Sequence, residues 1–465
     1  MNRTLGVTLV AATAISIGCA QIPSAGTVAA AGPVSALRFA RLVNGDGAVV
    51  NDAVVVIAGE RIVSVGRGDG AIPAGATVTD LRAYSAIPGM VDVHTHMTYY
   101  WDHAPGSRPF GAGNTRRTPV ELATVAMENA RLTLETGVTT VRDLGASNYV
   151  DVMMRDRINR GEAVGPRMFV SGYGMSKPRA PVAPVAPVAP VAAAGSGAGA
   201  GAGGGGRAGG APAVPTTPAW MRGQITDIAQ FDGAVKAQVD SGADVIKVYG
   251  SRGTGADTST TQTFTYEEMK AVVDAAHKYG KRIAIHSYGA PGGRDAVRAG
   301  TNTLEHAIEL DDATLALMAK QGTIYVPTID HNRYYADFHT DYGYTDDQVR
   351  GLNQYRAKNL ETARRALKAG VKLAMGSDAV HMMFGQNTRE LGLYVQAGMT
   401  PLQALGAATI NGAEVLGMTD RIGRVAPGYF ADIVAVQGDP RSDVEVVLKG
   451  VKWVMKGGKV VVDRR

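Results

Sequence analysis

Short apolar runs of strand type recur through the middle of the chain, each followed by residues with helical spacing. They cover Gly89–His94, Val138–Leu144, Arg167–Ser171, Val245–Tyr249, Arg282–His286, Thr303–His306, Thr323–Pro327 and Val371–Met375. Helix starts fall between them. Thr118, Pro119 and Glu121 read as an N-cap, a first-turn proline and a capping glutamate, with Gly137 as the stop. Thr265 and Glu268 repeat that box ahead of Met269, Val272, Val273 and Ala276, which share one helix face. Further helices are expected from about Arg356 to Gly370 and from Thr400 and Pro401 onward. Strands alternating with helices predict a parallel sheet, and eight such units close into an α/β (β/α)₈ barrel over about 87–420.

The flanks differ. Residues 36–86, which include the run Ala53–Val65, and residues 421–465 hold short strands and turns without helical spacing. Within the barrel, residues 178–219 form an insertion of repeated Ala-Pro-Val followed by a glycine run. It has no amphipathic period with which to bury a face, so it is expected to be disordered. It follows the third strand, which places it at the rim of the barrel mouth. A tolerated insertion and a flexible cover over the substrate are both open readings.

The strand ends carry the chemistry. His94 and His96 stand two apart, so on a strand both imidazoles face one side and reach one ion. Lys247, His286, His306 and Asp378 each end another apolar run, and a barrel brings such ends together at one mouth. Glu305, one before His306, should by alternation point away from that mouth. Around it stand Tyr249, Arg252, Tyr288, His331 and Arg333, donors suited to a carboxylate or a developing oxyanion. His381, close after Asp378, is a candidate to support the ligands, whereas His103, His277 and His339 are expected to face solvent.

Taken in order, His94, His96, Lys247, His286, His306 and Asp378 resemble the site of the amidohydrolase superfamily. The nearest resemblance is to its binuclear-metal members of the imidazolonepropionase-like and Xaa-Pro dipeptidase group. The resemblance covers nearly all of the mature chain and includes Gly423–Val434, which is similar to the superfamily's C-terminal signature. It implies that 36–86 and 421–465 join into one small β-sandwich beside the barrel. It also implies two divalent ions, zinc or a similar metal. His94, His96 and Asp378 would hold one, His286 and His306 the other, and Lys247, carboxylated by carbon dioxide, would bridge them. The implied reaction is attack of a metal-bridging hydroxide on an amide, with Asp378 as the acid and base. Dipeptides or N-acyl amino acids are the leading substrates. Hydrolysis of cyclic amides, aryl amides or esters is the alternative, and a catalytically inactive metal-binding envelope protein the remote one.

Charge and cysteine content set the remaining expectations. A net charge of +5 without a dense Lys/Arg stripe does not point to nucleic acid; a small molecule or short peptide is the partner that the resemblance implies. Arg3 precedes the apolar stretch Leu5–Ile17, and no acidic residue appears before Asp46; residues 1–20 therefore read as an export signal. The single cysteine, Cys19, lies in a run loosely resembling a bacterial lipoprotein box, so lipid anchoring and cleavage after Ala20 are both open, in the periplasm or outside the cell. With no second cysteine the chain has no internal disulfide, and a homo-oligomer is also open.

Overall fold

A computed structural model describes residues 34–103, 109, 117–178 and 217–465; the export signal, Cys19 and all but the ends of the insertion lie outside them. Strands from the two flanks combine into one seven-stranded sheet, in the order β14-β13-β12-β4-β1-β2-β3. The first flank gives β1 (Val34–Val43), β2 (Val49–Ala58), β3 (Arg61–Arg67) and β4 (Thr77–Pro88). The second gives β12 (Ile433–Val436), β13 (Val451–Lys456) and β14 (Lys459–Asp463). The seam is the antiparallel pairing of β4 with β12, Ile433 opposite Pro88 and Val436 opposite Ser85. In its hydrogen bonding the expected sandwich is therefore a single continuous sheet.

Burial explains why β2 reads as an unbroken apolar run. Ala53, Val55 and Ile57 pack with Phe39, Ile433 and Trp453 on one face, while Val54 and Val56 pack with Ala36 on the other. A strand covered on both sides needs no polar alternate.

The barrel is carried by β5 (Met90–Thr95), β6 (Val138–Asp143), β7 (Arg167–Val170), β8 (Val245–Tyr249), β9 (Arg282–Ser287), β10 (Thr303–His306) and β11 (Ile324–Val326). They pair in parallel as two arcs, β5-β6-β7 and β8-β9-β10-β11. A bridge from Met175 to Val248 joins the arcs on one side. On the other, Leu373 bridges Tyr325, Val93 N–H donates to Met375 O (2.9 Å), and Asp378 N–H donates to His94 O (2.7 Å). The stretch 371–375, expected as the eighth strand, thus pairs through isolated bonds. Its amides are divided: Ala374 donates to Tyr325 in the barrel, but Met375 donates to Ala407 outside it.

Helix starts at Thr118, Thr265 and Thr400 carry capping boxes. The helix expected near Arg356 spans Asp346–Lys368 and begins at another such box, Thr345 with Gln348. Its first turns are polar, so apolar spacing alone does not reveal them. Among the described residues no helix is long and apolar enough to cross a membrane.

Candidate active site

The C-terminal ends of β5, β8, β9 and β10 and the loops after β11 and residue 375 enclose a cavity of about 360 Å³. His94, His96, Lys247, His286, His306 and Asp378 all line it, together with Tyr249, Tyr288 and His331. Two of these residues reach it through strained backbone. His306 (φ 72°) and Asp378 (φ 52°) are left-handed, as is Thr328 (φ 51°) beside them. Non-glycine residues occupy this region at a cost of about 1 kcal/mol or more each, and the surrounding bonds must hold them there. Gly376 permits the approach, since a Cβ at that position would run into Val326 Cγ1 and would meet His94 Cβ at 2.8 Å.

The left-handed turn at His306 also corrects the expectation for Glu305. Alternation presumes an extended neighbour, and His306 is not extended. Glu305 instead lies wholly buried beneath the site, its Oε2 2.8 Å from His94 Nδ1 and its Oε1 2.9 Å from the Arg142 guanidinium. Arg142 is fixed in turn by Val93 O (2.5 Å) and Thr303 Oγ1 (3.0 Å). Burial works against the Glu305 charge, but Arg142 and His94 outweigh it and hold the carboxyl at about 2. An ionised Glu305 only accepts, so His94 carries its proton on Nδ1 and presents the Nε2 lone pair to the cavity.

The other imidazoles are oriented in the same way. His96 Nδ1 faces Gly145 O (3.4 Å), His286 Nε2 donates to Gly253 O (2.8 Å), and His306 Nδ1 meets Thr328 Oγ1 (2.6 Å). The free nitrogens of His94 and His96 turn to Asp378. Its Oδ1 is 3.1 Å from His96 Nε2 and 3.5 Å from His94 Nε2. His94 Nε2 and Asp378 Oδ1 are buried without a hydrogen-bond partner, and the donor atoms of His94, His96 and Asp378 lie within 4.8 Å of one another. Such a set of lone pairs suits a divalent cation. His286 and His306 stand against it, their ring centroids 4.5 Å apart and that of His306 4.9 Å from His94.

Burial also keeps these groups in the ligating form. It lowers His94 to about 4 and His286 and His306 well below their ordinary 6.5, with the Lys247 charge adding to the effect. The sign for stability follows. Between pH 6.5 and about 4 the unfolded chain takes up protons that folded His94 refuses, so folding weakens as pH falls through that window. Buried Asp92 and Asp151, raised to about 6, and Glu390, raised to about 8, act in the opposite sense over this range. The His94 contribution is therefore read against metal-free His94→Gln. The wild type's urea midpoint should fall relative to that of the variant between pH 6.5 and about 4, and a constant difference would contradict the assignment. Lys247 is buried with its Nζ 5.2 Å from the Tyr249 ring centroid, and burial brings its amine down to about 8. Asp378 goes the other way: burial would raise it, but His331, His94 and His96 hold it well below the ordinary carboxylate range.

His331 contacts Asp378 twice, Nδ1 to the backbone oxygen (2.8 Å) and Nε2 to Oδ2 (3.2 Å). The helix that carries it, Ile329–Asp337, is capped by buried Glu390, which accepts from the amides of Ile329 and Asp330 at 2.8 Å each. Arg252 lies outside this cavity, in an adjoining one. Arg333, expected to face substrate, lines neither: its guanidinium is bound by Asp330 at 2.6 Å and by Asp337, one turn away on either side. His381 is buried, with Nδ1 2.8 Å from the Tyr342 hydroxyl. His103 and His277 are exposed, whereas His339 is half-buried on Ala336 O (2.9 Å). Tyr99, Tyr335 and Tyr344 complete the wall; no local sequence signal marks them, because distant loops bring them together. Replacing Glu305 with Gln should weaken metal binding roughly 10- to 100-fold by releasing the His94 tautomer. Equilibrium dialysis against zinc would read this, and unchanged affinity would remove Glu305 from the site.

The chain belongs to the amidohydrolase family, whose sequence model matches residues 85–461. It is 28% identical over 435 residues to ochratoxinase from Aspergillus niger, covering 90% of this chain and 85% of that one. A crystal structure of a Xaa-Pro dipeptidase with methionine bound in its active site superposes with a TM-score of 0.77 at 28% identity, over 92% of this chain and 99% of that one. A prolidase complexed with N-methylphosphonate-L-proline gives 0.76 at 25% identity, over 93% and 100%. This chain is a metal-dependent hydrolase acting on carbon–nitrogen bonds.

Proposed function

We propose that this amidohydrolase cleaves the amide bond of dipeptides or N-acyl amino acids. The observation that carries the reading is the convergence of four oriented histidines, one buried lysine and one ionised aspartate on a single cavity. Two divalent ions, which we take to be zinc, would be held by His94, His96 and Asp378 and by His286 and His306. Bound there, they supply an activated water and polarisation of the substrate carbonyl. Lys247 fits the bridging role as a carbamate, because burial favours its neutral amine, the form that adds carbon dioxide.

The chain's own groups manage the proton. Asp378 takes it from the attacking water as oxygen bonds to the carbonyl carbon. His331, with Nδ1 2.8 Å from the Asp378 carbonyl oxygen and Nε2 3.2 Å from Oδ2, holds the carboxyl in place through the transfer. Asp378 then delivers the proton to the amide nitrogen as the C–N bond breaks, leaving a carboxylic acid and an amine. Tyr288, kept protonated by burial and stacked on His286 at 5.0 Å, is assigned as donor to the carbonyl oxygen.

A second reading, hydrolysis of cyclic or aryl amides, draws support from the tyrosine wall of the cavity. A panel of dipeptides, N-acyl amino acids, lactams and anilides separates the two. Turnover confined to lactams or anilides would overturn the first. Residues 1–20 complete the proposal as an export signal, with the mature enzyme soluble outside the cytoplasm or lipid-anchored at Cys19. Intact mass of protein purified from its native host would distinguish an acylated cysteine from a free new terminus.

A further inference from the structure

A second cavity, about 420 Å³, opens beside the metal-type cavity and shares Tyr99, Tyr249 and Thr254 with it. The two differ in chemistry. The second is lined by the cations Lys177 and Arg252 and by neutral polar groups such as Ser176, Gln224 and Ser251, with no Asp or Glu among its described lining residues. Both cations sit on braced backbone. Ser176 N–H donates to Gly223 O and accepts Ile225 N–H at its own oxygen, 2.8 Å each, which fixes the residue before Lys177. Arg252 N–H donates to Thr261 O (3.0 Å), and Ser251 bridges Gln262.

Lys177 is also held at its tip. Its Nζ lies 2.8 Å from Glu268 Oε1, while Oε2 of that glutamate accepts the Thr265 amide at a helix start. One of three ammonium protons is thereby occupied, and the amine is anchored at the cavity rim with donors to spare.

We infer that this second cavity is an anion subsite, in which Lys177 and Arg252 bind a carboxylate carried by the substrate while its amide lies at Asp378. The inference rests on the amide-hydrolase reading of the neighbouring centre and sharpens it. A carboxylate offers two acceptor oxygens to an ammonium and a guanidinium fork, and Ser251 and Gln224 can complete its shell. Substrates would then be amides with an acid at one end, so that neutral lactams and anilides bind poorly. Lys177 and Arg252 are specificity residues and take no part in the proton transfers.

The test uses zinc-loaded enzyme and two matched amides, N-acetyl-L-leucine and its acid-free counterpart N-(3-methylbutyl)acetamide. Lys177→Met and Arg252→Met are each expected to lower kcat/KM for the acid about tenfold or more through KM, and to change it less than about threefold for the neutral amide. Equal losses on acid and neutral amide, or no loss on N-acetyl-L-leucine and on N-isopentylsuccinamic acid alike, would overturn the subsite. N-isopentylsuccinamic acid, with its carboxylate on the acyl side, tells which product carries the acid: sensitivity of this amide alone to the two substitutions moves the anion to the acyl half and keeps the subsite.

Titration calorimetry of N-acetyl-L-leucine reads the same contact without turnover. N-isopentylsuccinamic acid is titrated beside it; binding of both acids that the variants retain, or no binding of either by the wild type, would overturn the subsite. Binding lost in the variants with no amide hydrolysed by the wild type would keep it and count instead against amide hydrolysis at the neighbouring centre.

Discussion

Asp378→Asn is expected to lower kcat by roughly a thousandfold while the fold and at least one bound metal ion persist, since positioned acid–base groups contribute on that order. The carboxylate stands where proton traffic must pass. Its Oδ1 faces His94 and His96, its Oδ2 faces His331, and its backbone is pinned by bonds to His94 O and from His331 Nδ1. The carboxamide would keep an oxygen for a cation and nearly the same shape, but could neither take nor return a proton. Metal analysis and the thermal midpoint, measured beside kcat, separate this loss from unfolding. A variant that binds metal and retains full turnover would remove Asp378 from the chemistry.

Loss of the Lys247 side chain should have the second-largest effect. Lys247 is 1% exposed, among side chains that would ligate cations, with no ion pair to its Nζ among the described residues. A permanently charged ammonium there would repel the ions the histidines are arranged to hold. As a carbamate it would supply two oxygens and the negative charge the pair of ions needs. Lys247→Ala is therefore expected to drop bound metal from two ions per chain to one or none and to lower kcat roughly a hundredfold or more. Lys247→Met, which fills the same volume, controls for the hole left by alanine. Two ions retained in both variants would show that the lysine bridges nothing.

Much of this arrangement is legible in the sequence because parallel barrel strands are short, apolar and end at one mouth. His94, Lys247, His286 and His306 are the polar interruptions of such runs, and the strands β5, β8, β9 and β10 lie within a residue or so of the runs read from composition. The failures share a cause: each depends on a conformation or partner that local spacing does not encode. Alternation turns Glu305 away from the mouth, and a left-handed His306 breaks alternation. Spacing leaves Arg333 open to a substrate, but its helix supplies Asp330 and Asp337. The stretch 371–375 is apolar like a strand, yet it divides its hydrogen bonds between Tyr325 and Ala407. Lys177 carries no motif at all; only the fold sets it beside Arg252 at a shared cavity.

The central claim is a two-ion site bridged by a modified lysine, and the direct measurement is metal content per chain together with intact mass under non-denaturing conditions on the purified mature enzyme. Two divalent ions, with one carbon dioxide of added mass that is missing from Lys247→Ala, is the result expected. A single ion and an unmodified lysine would contradict it, and the dipeptide assignment would be the first conclusion to fall.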